Sequence, residues 1–86
     1  MAFIEKKTWP YLFEKIIKGE KNFDIRLADF ELKEGDVLIL REWDPIRQRF
    51  TGRSINKMVK RVNKMDLTKF WDMDRIKKNG IYLIEL

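Results

Sequence analysis

The spacing of hydrophobic residues predicts one amphipathic helix near the start of the chain. Its apolar positions follow the i, i+3, i+4, i+7 pattern of a helix with one buried face: Trp9, Leu12, Phe13, Ile16 and Ile17. Thr8 precedes this pattern as a candidate N-cap, and Pro10 lies in the first turn, where its missing N–H is harmless. Gly19 is expected to end the helix in the left-handed conformation. A short strand, Ala2–Lys7, comes before the helix.

Beyond the helix the apolar positions alternate, which predicts a strand. Phe23, Ile25 and Leu27 are expected to face the core. Asp24 and Arg26 then project from the opposite side of the strand, toward solvent. The strand would therefore present its two charges on its outer face.

The middle of the chain predicts a central strand and a hairpin. Val37–Leu40 is an unbroken apolar run bounded by turn residues, and such a run is typical of a strand covered on both faces. A polar hairpin loop is expected over Ile46–Gly52. Ser54–Met65 combines helical spacing with β-branched residues. We interpret it as a strand with a bulge, because the hairpin needs a returning strand.

The end of the chain predicts a short helix and a last strand. Asp66 is a candidate cap for a helix that reaches Trp71, and Ile81–Leu86 follows a turn signal as a strand. Five strands, one main helix after the first strand and a short helix before the last make a small α+β fold with a mixed, barrel-like sheet. The 86 residues suit a single domain over 1–86.

Composition narrows the chemistry that the protein can carry. The chain has no Cys and no His, which removes the usual zinc ligands and the Cys/His and Ser/His/Asp catalytic groups. Asp66, Asp72 and Asp74 match no calcium-loop spacing, so no metal site is predicted. We predict no other cofactor either. No apolar run approaches the roughly 20 residues of a membrane span, which leaves a cytoplasmic protein as the expectation. The net charge of +5 favours an anionic partner, RNA or a nucleotide first.

Several segments resemble a known family. Gly19-x-Lys21-x-x-Asp24-x-Arg26 is similar to the Gly-x-Lys-x-x-Glu-x-Arg signature of the ASCH domain, a branch of the PUA-like superfamily. The other similar segments are Gly35-Asp36-Val37-Leu38, Gly80-Ile81-Tyr82-Leu83-Ile84-Glu85 and, typical of a subgroup known as DUF3850, Leu40-Arg41-Glu42-Trp43-Asp44-Pro45 with Phe50-Thr51-Gly52-Arg53. The resemblance implies a PUA-like β-barrel with a cleft beside the signature, used for RNA binding or RNA modification. Asp24 is one methylene shorter than the family's usual Glu.

The signature and the central strand supply the first candidate ligand contacts. Arg26 has a planar fork of donors that suits a phosphate or a base edge. Lys21 is a point charge that suits the phosphate backbone of a nucleic acid. Asp24 could orient either cation, although a solvated ion pair that contributes at most about 1 kcal/mol is the plain alternative. Arg41 and Trp43 close the central strand, where Trp43 either stacks on a base or covers the open end of the core.

A run of basic residues forms a second candidate surface. Between positions 46 and 65 the chain has cations and no acid. The cations are Arg47, Arg49, Arg53, Lys57, Lys60, Arg61 and Lys64. Such a run could follow a phosphate backbone, whereas the alternative is a solvated hairpin whose lysines discourage edge pairing. We take Arg47, Arg49, Arg53 and Lys57 as candidate RNA contacts.

Three functions fit these residues. The leading hypothesis is an RNA-binding module. The second is a hydrolase, because some small ASCH proteins that this chain resembles cleave the acetyl amide of N4-acetylcytidine with a Lys, a Thr and a Glu. The Lys matches Lys21, the Thr matches Asp24, and Glu42 is a substitute for the Glu; a ribonuclease that uses Lys21 and Arg26 is a related alternative. Because Asp24 would hold Lys21 protonated, catalysis ranks below binding. The third is a protein-interaction module without an RNA role.

Overall fold

The computed structural model describes residues 1–65 and 74–86, which form two three-stranded sheets and two helices. In chain order the elements are β1 (Phe3–Thr8), α1 (Pro10–Ile17), β2 (Phe23–Leu27), β3 (Val37–Asp44), β4 (Arg49–Met58), β5 (Arg61–Met65), α2 (Asp74–Asn79) and β6 (Ile81–Glu85). The described residues thus have an α+β fold with six strands in two sheets, where we predicted five strands in one barrel-like sheet. The mixed strand directions are confirmed, since β1 runs parallel to β3 and the other paired strands are antiparallel.

The first sheet has the order β1-β3-β4, with β3 in the centre as the apolar run predicted. Leu38 and Leu40 of β3 are fully buried, and they form the hydrophobic core together with Ile16 of α1 and Ile84 of β6. The side chains on the opposite face of β3 are only half-buried. The prediction of a strand covered on both faces is therefore correct for one face alone.

The hairpin between β3 and β4 turns more tightly than we predicted. Asp44 Oδ1 accepts hydrogen bonds from the backbone N–H groups of Ile46 (2.9 Å) and Arg47 (3.1 Å), which closes the turn. β4 therefore begins at Arg49, and the second half of the predicted loop over Ile46–Gly52 is strand.

A bulge in the same hairpin concentrates β4 side chains on one residue of β3. The register of the pair shifts between Arg41 and Trp43, so that Glu42 lies opposite three residues, positions 51 to 53. Gly52, in the middle of the three, has a φ of 98°, a left-handed conformation that favours glycine. The residues on either side of Gly52 consequently both reach the carboxylate of Glu42.

The chain passes from the first sheet to the second at Val59 and Lys60. The Val59 N–H donates to the Asp36 carbonyl beside β3 (2.8 Å), whereas the Lys60 N–H donates to the Glu85 carbonyl of β6 (2.8 Å). Ser54–Met65 is therefore extended, as we predicted, but it comprises the end of β4 and all of β5. The helical alternative for this segment is wrong, because its two halves pair with different sheets.

The second sheet has the order β2-β6-β5 and turns the charged side of β2 inward. Asp24 is 5% exposed, while Phe23 and Ile25 are 48% and 59% exposed. The predicted orientation of β2 is therefore wrong, although its alternation is confirmed. The apolar residues lie on the outer face of the sheet, where Ile25 pairs with Leu83 of β6. A charge can be buried in this way when it is paired and hydrogen-bonded.

Helix α1 packs on the first sheet and carries the fully buried Phe13. Pro10 lies in its first turn, and Gly19 follows its end with a φ of 74°, as predicted. Thr8 is not the N-cap. It is the last residue of β1, and Trp9 occupies the cap position without a side-chain hydrogen bond. The helix therefore begins directly where β1 ends.

A short helix, α2, precedes the last strand. The helix that we predicted from Asp66 to Trp71 lies outside the described residues. The predicted final strand over Ile81–Leu86 is confirmed by β6, and the Leu86 N–H continues to donate to the Asn22 carbonyl (2.8 Å). In residues 1–65 and 74–86, no helix is long and apolar enough to cross a membrane.

Candidate functional site

The buried carboxylate of Asp24 lies at the centre of the candidate site. Its Oδ1 accepts a hydrogen bond from Lys21 Nζ (3.2 Å), and its Oδ2 accepts one from Arg26 Nε (2.8 Å). The Lys21 and Arg26 side chains are themselves mostly buried. The three signature residues that the sequence singled out are thus in direct contact, in an ion-pair cluster that bulk solvent screens poorly.

Arg26 connects this cluster to the end of β1. Its Nη1 donates to the backbone carbonyl of Lys7 (2.9 Å), and its Nη2 donates to Thr8 Oγ1 (3.1 Å). Together with the Asp24 contact, three of the five guanidinium N–H groups are occupied. Counting bonds to residues 1–65 and 74–86, two N–H groups of Arg26 therefore remain for a ligand.

A cleft of about 230 Å³ opens beside these contacts. Its walls are Lys7, Thr8, Trp9, Leu12, Asp24, Ile25 and Arg26. Trp9 stands at the rim with 55% of its surface exposed. Lys21 reaches Asp24 but lies outside the lining of this cleft, which we call the Trp9 cleft.

A second carboxylate cluster surrounds Glu42, on the face of the first sheet that carries the buried Leu38 and Leu40. Thr8 of β1 is in register with Glu42 of β3, and both side chains are buried. Glu42 Oε1 accepts hydrogen bonds from Thr51 Oγ1 (2.6 Å) and Arg53 Nε (3.0 Å), and Glu42 Oε2 accepts one from Arg53 Nη2 (2.8 Å). Arg53 also contacts Glu14 of α1. This cluster ties α1 to the hairpin.

The contacts around Glu42 shift two pKa values in opposite directions. Hydrogen bonds from Arg53 lower the pKa of Glu42 below its ordinary value, burial opposes them, and the Thr51 hydroxyl adds to the lowering. The same bond to Glu42, with a further one to Glu14, raises the pKa of Arg53 above its ordinary value. Both groups are therefore held in their charged forms, and the guanidinium is committed to internal partners.

The outer face of the first sheet carries an aromatic pair covered by cations. The rings of Trp43 and Phe50 meet edge to face, with their centroids 4.9 Å apart. Lys7 Nζ lies 3.8 Å from the centroid of the Trp43 ring, and Arg41 Cζ lies 3.8 Å from that of Phe50. Arg41 and Trp43, which we predicted as ligand contacts, therefore share this face with two residues that sequence reasoning did not connect to them.

The candidate contacts in the basic run are dispersed. Arg47 and Arg49 are exposed at the tip of the hairpin, where Arg47 lies 3.9 Å from Asp44. Lys57 is half-buried farther along β4. The Arg53 guanidinium is bonded to Glu42 and Glu14, although its side chain remains 48% exposed. Of these four candidates, Arg47 and Arg49 share the hairpin tip, and Arg53 and Lys57 lie farther along β4.

Sequence reasoning assigned one key residue to the wrong environment. Trp9 fits the apolar stripe of α1, so its periodicity indicates a core position, yet it is more than half exposed. The available signal was its place before Pro10, because Pro favours the first helical position and Trp9 then falls at the N-cap, outside the helix. Lys7 and Thr8 also line the cleft, and nothing in their own spacing marked them.

The described residues offer no evident metal centre. No group of three or more His, Cys, Asp or Glu side chains that could hold an ion occurs within residues 1–65 and 74–86. The hydrolase hypothesis uses Glu42 as a substitute for the family's catalytic Glu. Glu42 is hydrogen-bonded to Thr51 and Arg53, and among the described residues no hydrogen bond joins it to Lys21.

Comparison with known proteins assigns the chain to a family. A domain of unknown function, DUF3850, matches residues 4–72, and the protein belongs to this family. An uncharacterised 12.9 kDa protein in the GpA 3′ region of Escherichia phage P2 is 33% identical over 55 residues, which are 64% of this chain and 49% of the phage protein. This chain thus matches about half the length of that relative.

A solved structure is similar over nearly the whole fold. The crystal structure of hypothetical protein PH0355 has a TM-score of 0.71 to this chain, at 23% identity, over 99% of this chain and 96% of the other. At that identity the likeness shows the fold alone.

Proposed function

We propose that the protein is an RNA-binding module of the ASCH type, within the PUA-like superfamily, and that the Trp9 cleft receives one nucleotide. The observation that carries this proposal is an exposed tryptophan at the rim of a cleft that is lined by a charged hydrogen-bonding network. Flat aromatic rings stack on bases of any sequence, and such stacking contributes about 1–3 kcal/mol per base.

The lining of the Trp9 cleft complements a nucleobase. Leu12 and Ile25 are apolar walls, and Trp9 offers a flat face. Arg26 has two N–H groups without a partner in the described part of the chain, and these suit acceptors on a base edge or a phosphate. The volume of about 230 Å³ is below the roughly 300–1,000 Å³ of typical drug-sized pockets, which favours a single base or nucleoside over a large cofactor.

The charge of the chain supports the same proposal. The net charge of +5 attracts a polyanion, and Arg47 and Arg49 are exposed at the hairpin tip as backbone contacts. We leave Arg53 out of this set, because its guanidinium is bonded to Glu42 and Glu14.

The hydrolase hypothesis is less well supported by the geometry. Lys21 Nζ donates a hydrogen bond to Asp24 at 3.2 Å, which holds the amine toward that carboxylate. Lys21 also lies outside the lining of the Trp9 cleft, where a substrate would be held. Binding is therefore the function that we adopt.

The experiment compares two exposed aromatic residues of the same region. Fluorescence anisotropy with a labelled single-stranded RNA should show that Trp9→Ala lowers affinity by about 5- to 150-fold, the equivalent of one stacked base. The matched control is Tyr11→Ala, because Tyr11 is 64% exposed but does not line the cleft, and its affinity should stay within about twofold of wild type. Equal affinities of wild type and Trp9→Ala would contradict the proposed site, and no RNA binding by wild type at low salt would contradict the function.

A further inference from the structure

A second, smaller cleft lies on the outer face of the first sheet. Its volume is about 160 Å³. Its walls are Glu5, Lys6, Lys7, Arg41 and Phe50, and we call it the Phe50 cleft. Its cationic groups are those of Lys7 and Arg41, and its acid is Glu5; the Lys6 ammonium lies instead 3.6 Å from the centroid of the Phe30 ring. Two cations against one acid make the cleft electrostatically suited to an anionic chain.

The Phe50 cleft contains a stacking platform. The Arg41 guanidinium lies 3.8 Å from the centroid of the Phe50 ring, and the Arg41 side chain remains 37% exposed. Its one ionic partner among the described residues is Glu5, and the distance from Arg41 Nη1 to Glu5 Oε2 is a long 3.7 Å. Nucleobases stack on guanidinium planes as they do on aromatic rings, so a base can continue the stack that Arg41 and Phe50 begin.

Lys7 is the wall that the two clefts share. It lines both the Trp9 cleft and the Phe50 cleft. Its carbonyl is held by Arg26 on the side of the first cleft (2.9 Å), while its ammonium lies over Trp43 on the other face of the sheet (3.8 Å). An ammonium over a ring has donors left for a phosphate, because a cation–π contact uses none of its N–H bonds with an acceptor.

We propose that the two clefts bind adjacent nucleotides of one RNA strand, with Lys7 contacting the phosphate between them. One base stacks on Trp9, the strand crosses the end of β1 at Lys7, and the next base stacks on Arg41 over Phe50. This proposal rests on the proposed function, because the first nucleotide is the one in the Trp9 cleft. It adds a second site and a length requirement that the first proposal does not have.

The test uses ligands that differ by one chemical group at a time. Adenosine, its 3′- and 5′-monophosphates, and the dinucleotide ApA are titrated into the protein, and chemical shifts of the backbone amides are followed by NMR. ApA should bind at least about fivefold more tightly than either monophosphate, as expected for one added stacked base. The amides of Arg41 and Phe50 should shift with ApA but not with adenosine.

Two variants separate the contributions of phosphate and second base. Lys7→Gln should weaken ApA and the better-bound monophosphate by about tenfold and leave adenosine within twofold, since a phosphate contact is removed. Arg41→Gln should weaken ApA alone. The exposed Lys18 at the end of α1 provides the control, and Lys18→Gln should change no affinity by more than about twofold.

The outcomes distinguish a failure of the two-cleft proposal from a failure of the proposed RNA-binding function. If ApA binds no more tightly than a monophosphate, or if Arg41→Gln leaves ApA binding unchanged, the two-cleft path is wrong and nucleotide binding in the Trp9 cleft stands. If Lys7→Gln weakens adenosine as much as ApA, then Lys7 is not a phosphate contact. If wild type binds none of these ligands and also fails to bind a longer RNA strand, the proposed function itself fails. Amide spectra of each variant verify that the fold is retained.

Discussion

The substitution Asp24→Asn tests whether the signature cluster stabilises the fold. Asp24 is 5% exposed and accepts hydrogen bonds from two cations, Lys21 and Arg26. The asparagine keeps the shape of the side chain but has one acceptor oxygen, so its amide N–H₂ must face one of the two donors. The variant therefore loses one charge-assisted hydrogen bond and leaves a mostly buried cation without its counter-charge.

The expected loss is a large part of the total stability. A hydrogen bond to a charged group contributes about 1.5–3 kcal/mol, and we take about 2.5 kcal/mol for Asp24→Asn. A chain of this length has a free energy of unfolding on the order of 4–13 kcal/mol. Since 1 kcal/mol changes the melting temperature of a domain of this size by about 4–8 °C, the midpoint should fall by about 10–20 °C.

The assay is thermal and urea unfolding followed by circular dichroism. Asp29→Asn is the matched control, because Asp29 is an exposed aspartate in the loop after β2, and its effect should stay within about 0.5 kcal/mol. A midpoint for Asp24→Asn that falls no further than that of Asp29→Asn would refute the argument. It would mean that Asp24, Lys21 and Arg26 lose little when their pairing is broken, as in the solvated ion pair that the sequence left open.

Two further predictions concern pH and salt. Hydrogen bonds from Arg53 and Thr51 hold the folded-state pKa of Glu42 below its ordinary value of 4.5, so its contribution to stability is present at neutral pH and is lost as pH falls below that value. Urea unfolding should show that Glu42→Gln is less stable than wild type at pH 7 and that the difference shrinks toward pH 3; a constant difference would exclude this linkage. Arg49→Gln should reduce the slope of log affinity for single-stranded RNA against log salt by about 0.7, and an unchanged slope would remove this arginine from the phosphate contacts.

Local patterns in the sequence predicted the elements that depend on neighbouring residues. The helix α1, the left-handed Gly19 after it and the strand β3 follow from short-range features, and each is confirmed as an element. Trp9 and Ile17 of the helical pattern are nevertheless exposed, and β3 is fully covered on one face alone. The contact among Lys21, Asp24 and Arg26 follows from their closeness in the chain once β2 is extended. These predictions succeeded because no distant partner is needed to make them.

Predictions failed where a distant segment decides the environment of a residue. Thr8 reads as a helix cap, but its hydroxyl accepts a hydrogen bond from Arg26, 18 residues away. The helical spacing predicted a core position for Trp9, but Trp9 lines a cleft that β1, α1 and β2 form together. Ser54–Met65 reads as one strand, but its two ends pair with β3 and β6 in different sheets.

The sequence by itself determined that β2 alternates, and the tertiary structure decided which side of β2 faces inward. Alternation follows from the geometry of an extended chain, in which successive side chains point to opposite faces. Whether the apolar or the charged side is buried depends on what lies across from it. Here the end of β1 offers a carbonyl and a hydroxyl to Arg26, and Lys21 and Arg26 satisfy both oxygens of Asp24, so the charged side can be buried.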